Sequence, residues 1–324
     1  MKLHTEPHAL IAAIVSLLVL CAGAMRAESQ NSSTTNSAKR FASADDAITS
    51  LRAAAQAADR AAVEQIFGPD IKTFLTGDAV QDQANFRGFS QAMSNGCAAV
   101  ADGADRMILT IGTNDWPFPI PLVKQGGQWF FDTDAGREEV INRHIGADEL
   151  YAIGVCRAYV KAQKEYYSQD HDGSGIKKYA LRFKSTAGHQ DGLYWPSTNE
   201  PSPFGMLEAE AYAEGYNAHA VGTGPHPFHG YLFRILTSQG RAAPGGKMDY
   251  LVNGNLASGF GLVAYPQKYG KSGIMTFIVN QDGKVYQRDF GDDTTATIAK
   301  LTQYNPGRHW TLVQDQGVTE PRNE

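Results

Sequence analysis

Residues 119–133, PIPLVKQGGQWFFDT, decide the fold of the N-terminal half. Gly126 and Gly127 separate an apolar run from an aromatic run, an order typical of a tight β-hairpin. The preceding residues 41–67 and 86–96 carry apolar side chains at helical spacing. Helices followed by an antiparallel sheet predict an α+β class, with a cone-like domain over residues 41–136.

Polar residues mark the ends of the first two predicted helices. Ser43 can cap the start of the first helix, and Asp59 can cap the start of the second. Gly68 and Pro69 then stop the second helix.

The C-terminal half begins with a long helical pattern over residues 136–167, where apolar side chains follow one stripe. The turn residues 280–283 and a helical pattern at 294–304 lie near its end. We expect a long helix packed on an antiparallel sheet over residues 137–315, then a tail at 316–324. The predicted strands are KKYALRF (177–183), GYLFRIL (230–236), MDYLVNG (248–254), GFGLVAYP (259–266), GIMTFIVN (273–280) and KVYQRDF (284–290), with a short helix at 208–216.

The start of the chain has the pattern of a secretory signal peptide over residues 1–24. Two alternatives stay open: the apolar segment is retained as an anchor, or Cys21 carries a lipid. Residues 25–40, rich in Ser, Thr and Asn, predict a flexible spacer. We therefore expect an exported protein of the periplasm or cell envelope, with membrane attachment only through an uncleaved leader or a lipidated Cys21.

Composition sets limits on the partners. With 42% hydrophobic and 19% charged residues, the chain has a globular balance. Its formal net charge of -5 argues against nucleic acid, which usually requires a basic face. After export, Cys97 and Cys156 could form a disulfide, or each could be a separate buried thiol.

Two long segments carry a family resemblance. They are NDWPFPIPLVKQGGQWFFDTDAGREEVINRHIGADEL (114–150) and YGKSGIMTFIVNQDGKVYQRDFG (269–291). The chain closely resembles the bacterial secreted family catalogued as domain of unknown function 2950, over about residues 41–315. That resemblance implies an envelope protein without an established activity.

Each half also resembles a broader fold. The N-terminal half is similar to the nuclear-transport-factor-two-like cone, which hosts both enzymes and binding modules. The C-terminal half is similar to the globular part of type IV pilins and pseudopilins. The leader lacks a prepilin cleavage pattern, so this second resemblance implies an architecture and no filament role.

The segment YYSQDHDGSG, residues 166–175, resembles the start of a calcium-binding loop. Asp170, Asp172 and Ser174 occupy the spacing of the first three oxygen ligands, and Gly175 follows them. Leu181 stands where the closing glutamate is expected, so calcium would be held weakly. The alternative is a helix end at which glycines and aspartates make a turn.

Aromatic residues beside prolines predict ligand contacts at Trp116 and Trp195, because such clusters form rigid apolar surfaces. The alternative is that both pack in the interior or between the halves. His229 is the third predicted ligand contact; with His219 and His226 it lies in HAVGTGPHPFHGY. These histidines could bind zinc or copper, or they could be ordinary loop residues.

Four acids, at positions 132, 134, 138 and 139, lie at the junction of the halves. They could form a general acid–base pair, or they could favour the start of the long helix through its dipole. No complete catalytic motif is present in the sequence, and no catalytic residue is predicted.

These observations predict a non-catalytic envelope protein that binds another protein or a small ligand. The alternative is a hydrolase or small-molecule enzyme that uses a pocket in the N-terminal cone. No cofactor is firmly predicted, and calcium is the one candidate.

Overall fold

A computed structural model describes residues 38–196, 200–205, 207, 216 and 227–314 of the chain. Several predicted features lie outside the described residues. They are the leader, most of the spacer, the tail at 316–324, His219, His226 and nearly all of the predicted helix at 208–216. None of the helices in the described part of the chain is both long and apolar enough to cross a membrane. The described elements confirm the α+β class.

The N-terminal helices begin at the predicted cap residues. Ser43 Oγ accepts from the Asp46 backbone N–H at 3.1 Å, and Asp59 Oδ1 accepts from that of Ala62 at 3.0 Å. These bonds satisfy N–H groups that have no partner within a helix. The helices are α1 (Ala44–Gln56), α2 (Arg60–Phe67) and α3 (Ala79–Asn95), with a 3-10 helix at Pro69–Phe74 between the last two.

The first sheet is antiparallel and contains the predicted hairpin. Gly126 and Gly127 have φ angles of 61° and 78°, which the tight turn requires and which glycine adopts without strain. The strand order is β1-β2-β4-β5, with β3 paired to β2. The strands are β1 (Cys97–Ala101), β2 (Arg106–Ile111), β3 (Trp116–Pro117), β4 (Leu122–Gln125) and β5 (Gln128–Phe131).

The long helix α4 covers Thr133–Tyr167, so it begins three residues before the predicted position. Asp132 Oδ1 caps it by accepting from the Ala135 N–H at 3.0 Å. With 35 residues, α4 is roughly 50 Å long. Its C-terminal part packs on the second sheet, as the apolar stripe predicts.

The second sheet is also antiparallel, with strand order β14-β13-β12-β11-β6. Short pairs, β7 with β8 and β9 with β10, lie beside it. A final helix, α5 (Thr294–Lys300), lies between β13 and β14. The strands are β6 (Tyr231–Leu236), β7 (Ser238–Gln239), β8 (Met248–Asp249), β9 (Leu251–Val252), β10 (Asn255–Leu256), β11 (Gly261–Pro266), β12 (Met275–Asn280), β13 (Tyr286–Asp289) and β14 (Thr311–Leu312).

The strand prediction for KKYALRF is wrong. This segment is irregular and makes a single bridge, from Tyr179 to Leu256. The reason lies in α4: Gln163 donates from Nε2 to the Ala180 carbonyl and accepts at Oε1 from the Ala180 N–H, both at 2.8 Å. The buried Gln163 side chain thus makes the backbone hydrogen bonds that a neighbouring strand would otherwise make.

The apolar interior forms separate clusters that follow the chain. One contains Phe67, Phe118 and Phe131 from the N-terminal half, and another packs α4 against the second sheet around Tyr159 and Phe277. All described residues belong to one compact unit, Ser37–Glu324. The predicted domain boundary between residues 136 and 137 stays a prediction.

Candidate functional site

A polar surface site lies where β13 ends. Arg288 is on β13 opposite Thr276 of β12, and Phe290 follows the strand. After α5 the chain returns to β14, which places Trp310 against Phe290 with ring centroids 5.7 Å apart and planes at 81°. The pairing of β13 with β14 therefore brings together a cation and two aromatic rings.

Two pockets share Arg288 as a common wall. The first has a volume of about 290 Å³ and the second about 390 Å³. We call the pair the Arg288 groove. Its first pocket is lined by Met275, Gln287, Arg288, Asp289, His309 and Thr311, and its second by Arg288, Phe290, Thr297, Lys300, Leu301, Thr302, Gln303, Asn305 and Trp310.

The guanidinium of Arg288 is free to bind a ligand. It lies over the Phe290 ring, 4.4 Å from the centroid, and no carboxylate among the described residues pairs with it. The neighbouring Asp289 is already engaged, because its carboxylate accepts from the Gly291 N–H at 2.7 Å and from the Tyr269 hydroxyl at 3.4 Å. A guanidinium on an aromatic ring keeps its edge donors available to an anion.

The second pocket has a fixed frame. Arg234 on β6 donates to the carbonyls of Ile298, at 2.7 Å, and Leu301, so it holds the end of α5 against the sheet. The buried Tyr304 bridges to the β7 region, where its N–H donates to the Ser238 carbonyl at 2.9 Å. Such bonds hold the loop that carries the pocket wall, so a ligand would meet a preformed site.

A second polar cluster is buried between α3 and α4. Asp148 on α4 is 1% exposed, and its carboxylate accepts from Gln81 Nε2. His144 Nε2 lies 3.1 Å from the other carboxylate oxygen, close but outside hydrogen-bond alignment. Burial raises the pKa of Asp148, although His144, Gln81 and His229 act in the opposite direction.

His229, one of the predicted ligand contacts, lies beside this cluster. Its backbone has a φ of 45°, uncommon for a residue other than glycine, and its ring stacks on Tyr151 with centroids 3.6 Å apart. The His229 N–H donates to the Tyr216 hydroxyl at 3.1 Å, and that hydroxyl donates to Asp78 at 2.7 Å. These contacts hold His229 just before β6, and ligand binding by His229 stays a prediction.

The two predicted tryptophan contacts lie in different surroundings. Trp116 on β3 is 40% exposed, and the Arg143 guanidinium lies 4.5 Å from its ring centroid. Trp195 is 7% exposed; its indole N–H donates to the Glu200 carbonyl at 3.1 Å and its ring packs edge-on against Tyr166. Trp116 offers a surface to a ligand, whereas a ligand at Trp195 would have to displace core packing.

The predicted calcium residues form a tight turn after α4. The Asp170 carboxylate accepts from the Asp172 N–H at 3.3 Å and the Gly175 N–H at 2.7 Å. Asp172 accepts from the Ser174 N–H at 3.3 Å and forms an ion pair with Lys178. The hydrogen bond from Lys178, with a smaller one from Ser174, holds the pKa of Asp172 below its usual range. Lys178 thus supplies a positive charge where a cation was expected, and calcium binding stays a prediction.

The acids at the start of α4 take part in capping and ion pairs. Asp132 is the helix cap, Asp134 pairs with Arg137, and Glu139 pairs with Arg143. This arrangement favours the interpretation of helix-terminal acids. Glu138 is exposed on the same turns.

The described residues contain no group of three or more His, Cys, Asp or Glu side chains placed to hold a metal ion. Cys97 and Cys156 are both free thiols and belong to different apolar clusters. Burial raises the pKa of Cys156 to about 12, so this thiol is unreactive.

The residues of the Arg288 groove and the Asp148 cluster were not singled out from the sequence. The run RDF at 288–290 places a cation beside an aromatic residue, which is a weak signal on its own. Trp310 joins it only through the β13–β14 pairing, and Asp148 meets Gln81 across 67 positions. Neither of these two contacts can be predicted from a local sequence pattern.

A family model described as Protein of unknown function (DUF2950) matches residues 38–313, most of the chain. No curated protein matches the sequence significantly. No solved structure matches it either.

Proposed function

We propose, from the premise that this chain belongs to the family described as Protein of unknown function (DUF2950), that it is an exported envelope protein with a non-catalytic binding role. Its ligand would contact the Arg288 groove. The proposal covers either a small ligand or an exposed group of another envelope component.

One observation carries this proposal. The Arg288 guanidinium stands between two pockets, supported by Phe290 and without a carboxylate partner in the described part of the chain. An arginine without an acidic partner in a concave, aromatic-lined site is a typical recognition element. The framework around it needs little rearrangement on binding, which reduces the entropy lost on association.

Export is supported by the leader pattern at residues 1–24 and the spacer at 25–40. A fusion of residues 1–40 to a reporter enzyme that is active only outside the cytoplasm tests this part. We expect an active reporter and an exported chain that begins after residue 24. An inactive reporter would contradict export.

The broader resemblances are also part of the proposal. Three helices against the first antiparallel sheet support a cone-like N-terminal half, and α4 against the second sheet supports a pilin-like C-terminal half. We infer no filament role from the second arrangement.

The alternative of an enzyme in the N-terminal cone has less support. Phe67, Phe118 and Phe131 pack together in the interior of that half, with exposed fractions of 2%, 8% and 0%. These rings fill space that a substrate would need. A hydrolase there would have to open this cluster first.

An array of envelope glycans and peptides tests the binding role. We expect the purified protein to bind at least one ligand, and Arg288→Ala to remove that binding. Arg87→Ala is the matched control, because Arg87 is an exposed arginine on α3. A ligand bound equally by both variants would place the site elsewhere, and no bound ligand would contradict the role.

A further inference from the structure

The shape of the Arg288 groove indicates what it can hold. Its pockets, about 290 Å³ and 390 Å³, lie near the lower limit of roughly 300 Å³ for sites that enclose a drug-sized ligand. Each is therefore suited to a unit about the size of one ring. Because Arg288 is the wall between them, a ligand that fills both must pass over the guanidinium.

The lining combines three kinds of contact. Phe290 and Trp310 offer apolar ring surface, which suits the C–H face of a sugar. Gln287 and Gln303 offer amide groups that can both donate and accept, as hydroxyl groups require. Arg288 provides a planar set of N–H donors that matches a carboxylate in two bonds.

The charges around the groove limit how anionic the ligand is. Arg288 and Lys300 are opposed by the exposed acids Asp292 and Asp293 of the adjoining 3-10 helix and by Asp289. The exposed Arg308, whose Nε donates to the lining His309, adds a third cation, so positive and negative side chains balance here, while the whole chain carries -5. A densely charged polyanion or a phosphate-rich ligand would therefore gain no net attraction from these charges. A single carboxylate placed at Arg288 matches the one cation that lines both pockets.

We propose that the Arg288 groove binds an acidic disaccharide unit, with one sugar in each pocket and the carboxylate of a single uronic acid on Arg288. This inference rests on the proposed binding role and names its ligand class. It assigns recognition to Arg288, apolar support to Trp310 and hydroxyl contacts to the two glutamines.

Calorimetric titration of the purified protein with glucuronosyl-galactose, a disaccharide with one carboxylate, tests the proposal. We expect measurable binding that is at least tenfold weaker with the neutral disaccharide lactose. Tetragalacturonate should bind no more tightly, because the groove holds two sugars and one carboxylate. Arg288→Ala should weaken binding at least tenfold and Arg288→Lys less, because lysine keeps the charge and loses the planar fork. Arg87→Ala should bind as the parental protein does, and the melting temperature of every variant checks that it is folded.

Several outcomes would overturn this ligand class. Equal affinity for lactose would contradict recognition of a carboxylate, and tighter binding of a glutamate oligomer would identify an acidic peptide instead. Unchanged binding in Arg288→Ala would contradict the site. If glucuronosyl-galactose fails to bind while an array ligand still depends on Arg288, the ligand class is wrong and the binding role stands.

Discussion

Asp148 and Asp172 carry the same carboxyl group in opposite surroundings. Asp148 is buried within α4, and burial raises its pKa from the ordinary 3.8. Asp172 is exposed in the turn after α4, and Lys178 lowers its pKa. Removal from water penalises the charged form of the first group, whereas a neighbouring cation favours that of the second. We therefore expect Asp148 to matter for folding and Asp172 to matter little.

Gly230→Ala should cause the largest loss, because it tests how closely the Asp148 cluster is packed. An added Cβ would lie 2.6 Å from Asp148 Oδ2 and 2.7 Å from Ser272 Cβ, and Gly230 has a φ of 69°. We expect the free energy of unfolding to fall by about 3 kcal/mol, from overpacking and backbone strain together. Urea denaturation measures it.

Gly246→Ala is the matched control for this prediction. Gly246 has a φ of 76°, and an added Cβ would meet nothing within 4 Å. This variant carries the backbone strain without the contact, so we expect a loss of about 1 kcal/mol. Equal losses in the two variants would show that the space around Asp148 is not tight.

Asp148→Ala should have the next largest effect. The substitution leaves the Gln81 amide buried without its acceptor and removes the carboxylate beside His144, so we expect a loss of about 2 kcal/mol near neutral pH. Glu138→Ala removes an exposed acid from the same helix and should change stability by less than about 0.5 kcal/mol. If both variants unfold at the same urea concentration, the buried cluster contributes nothing to folding.

The stability contributions of Asp148 and Asp172 should depend on pH in opposite directions. Because its pKa is raised in the folded state, Asp148 adds stability below pH 3.8, and this is lost as the pH rises through the folded pKa. Asp172 has a lowered pKa, so it adds stability above pH 3.8, and this is lost as the pH falls through the folded pKa. Relative to Asp148→Asn, the parental protein should therefore become less stable as the pH rises. Relative to Asp172→Asn, it should become less stable as the pH falls below 3.8.

The measurement is the difference in the free energy of unfolding between the parental protein and each asparagine variant at each pH. His144 and His229 also act on the Asp148 carboxylate, and Glu149, Asp78 and Lys268 lie on the elements around it. Comparing the two proteins at the same pH removes the contributions of groups that do not interact with the substituted aspartate. Slopes of the same sign for the two aspartates would contradict the assignment of burial to one and ion pairing to the other.

The sequence predicts the elements whose signals are local. The caps at Ser43 and Asp59, the Gly126–Gly127 turn and most strands of the second sheet are confirmed. Strand β1, CAAVA, was not predicted, because alanine carries little preference for strands and the chain pairs there only through β2.

Features that depend on distant partners could not be predicted. KKYALRF has a strand-like composition, yet Gln163 of α4 binds its backbone. In the sequence, Asp148 is an ordinary polar residue of a helix. Only the fold shows that Gln81 of α3 donates a hydrogen bond to it. The Arg288 groove likewise exists only once β14 places Trp310 beside Phe290. In each case a side chain far along the chain decides the role of a residue.

The smallest effect concerns calcium at the turn of Asp170, Asp172 and Ser174. Because Lys178 already pairs with Asp172 and Leu181 cannot close a calcium loop, we expect millimolar calcium to shift the melting temperature of the parental protein by less than about 1 °C. Lys178→Ala should make the melting temperature respond to calcium, since it frees the carboxylate, and adding Asp172→Asn should remove that response. A parental protein that calcium stabilises, and that loses this stabilisation in Asp172→Asn alone, would instead show that calcium displaces Lys178. The exposed carboxylate would then be a ligand whose partner in the absence of metal is the lysine.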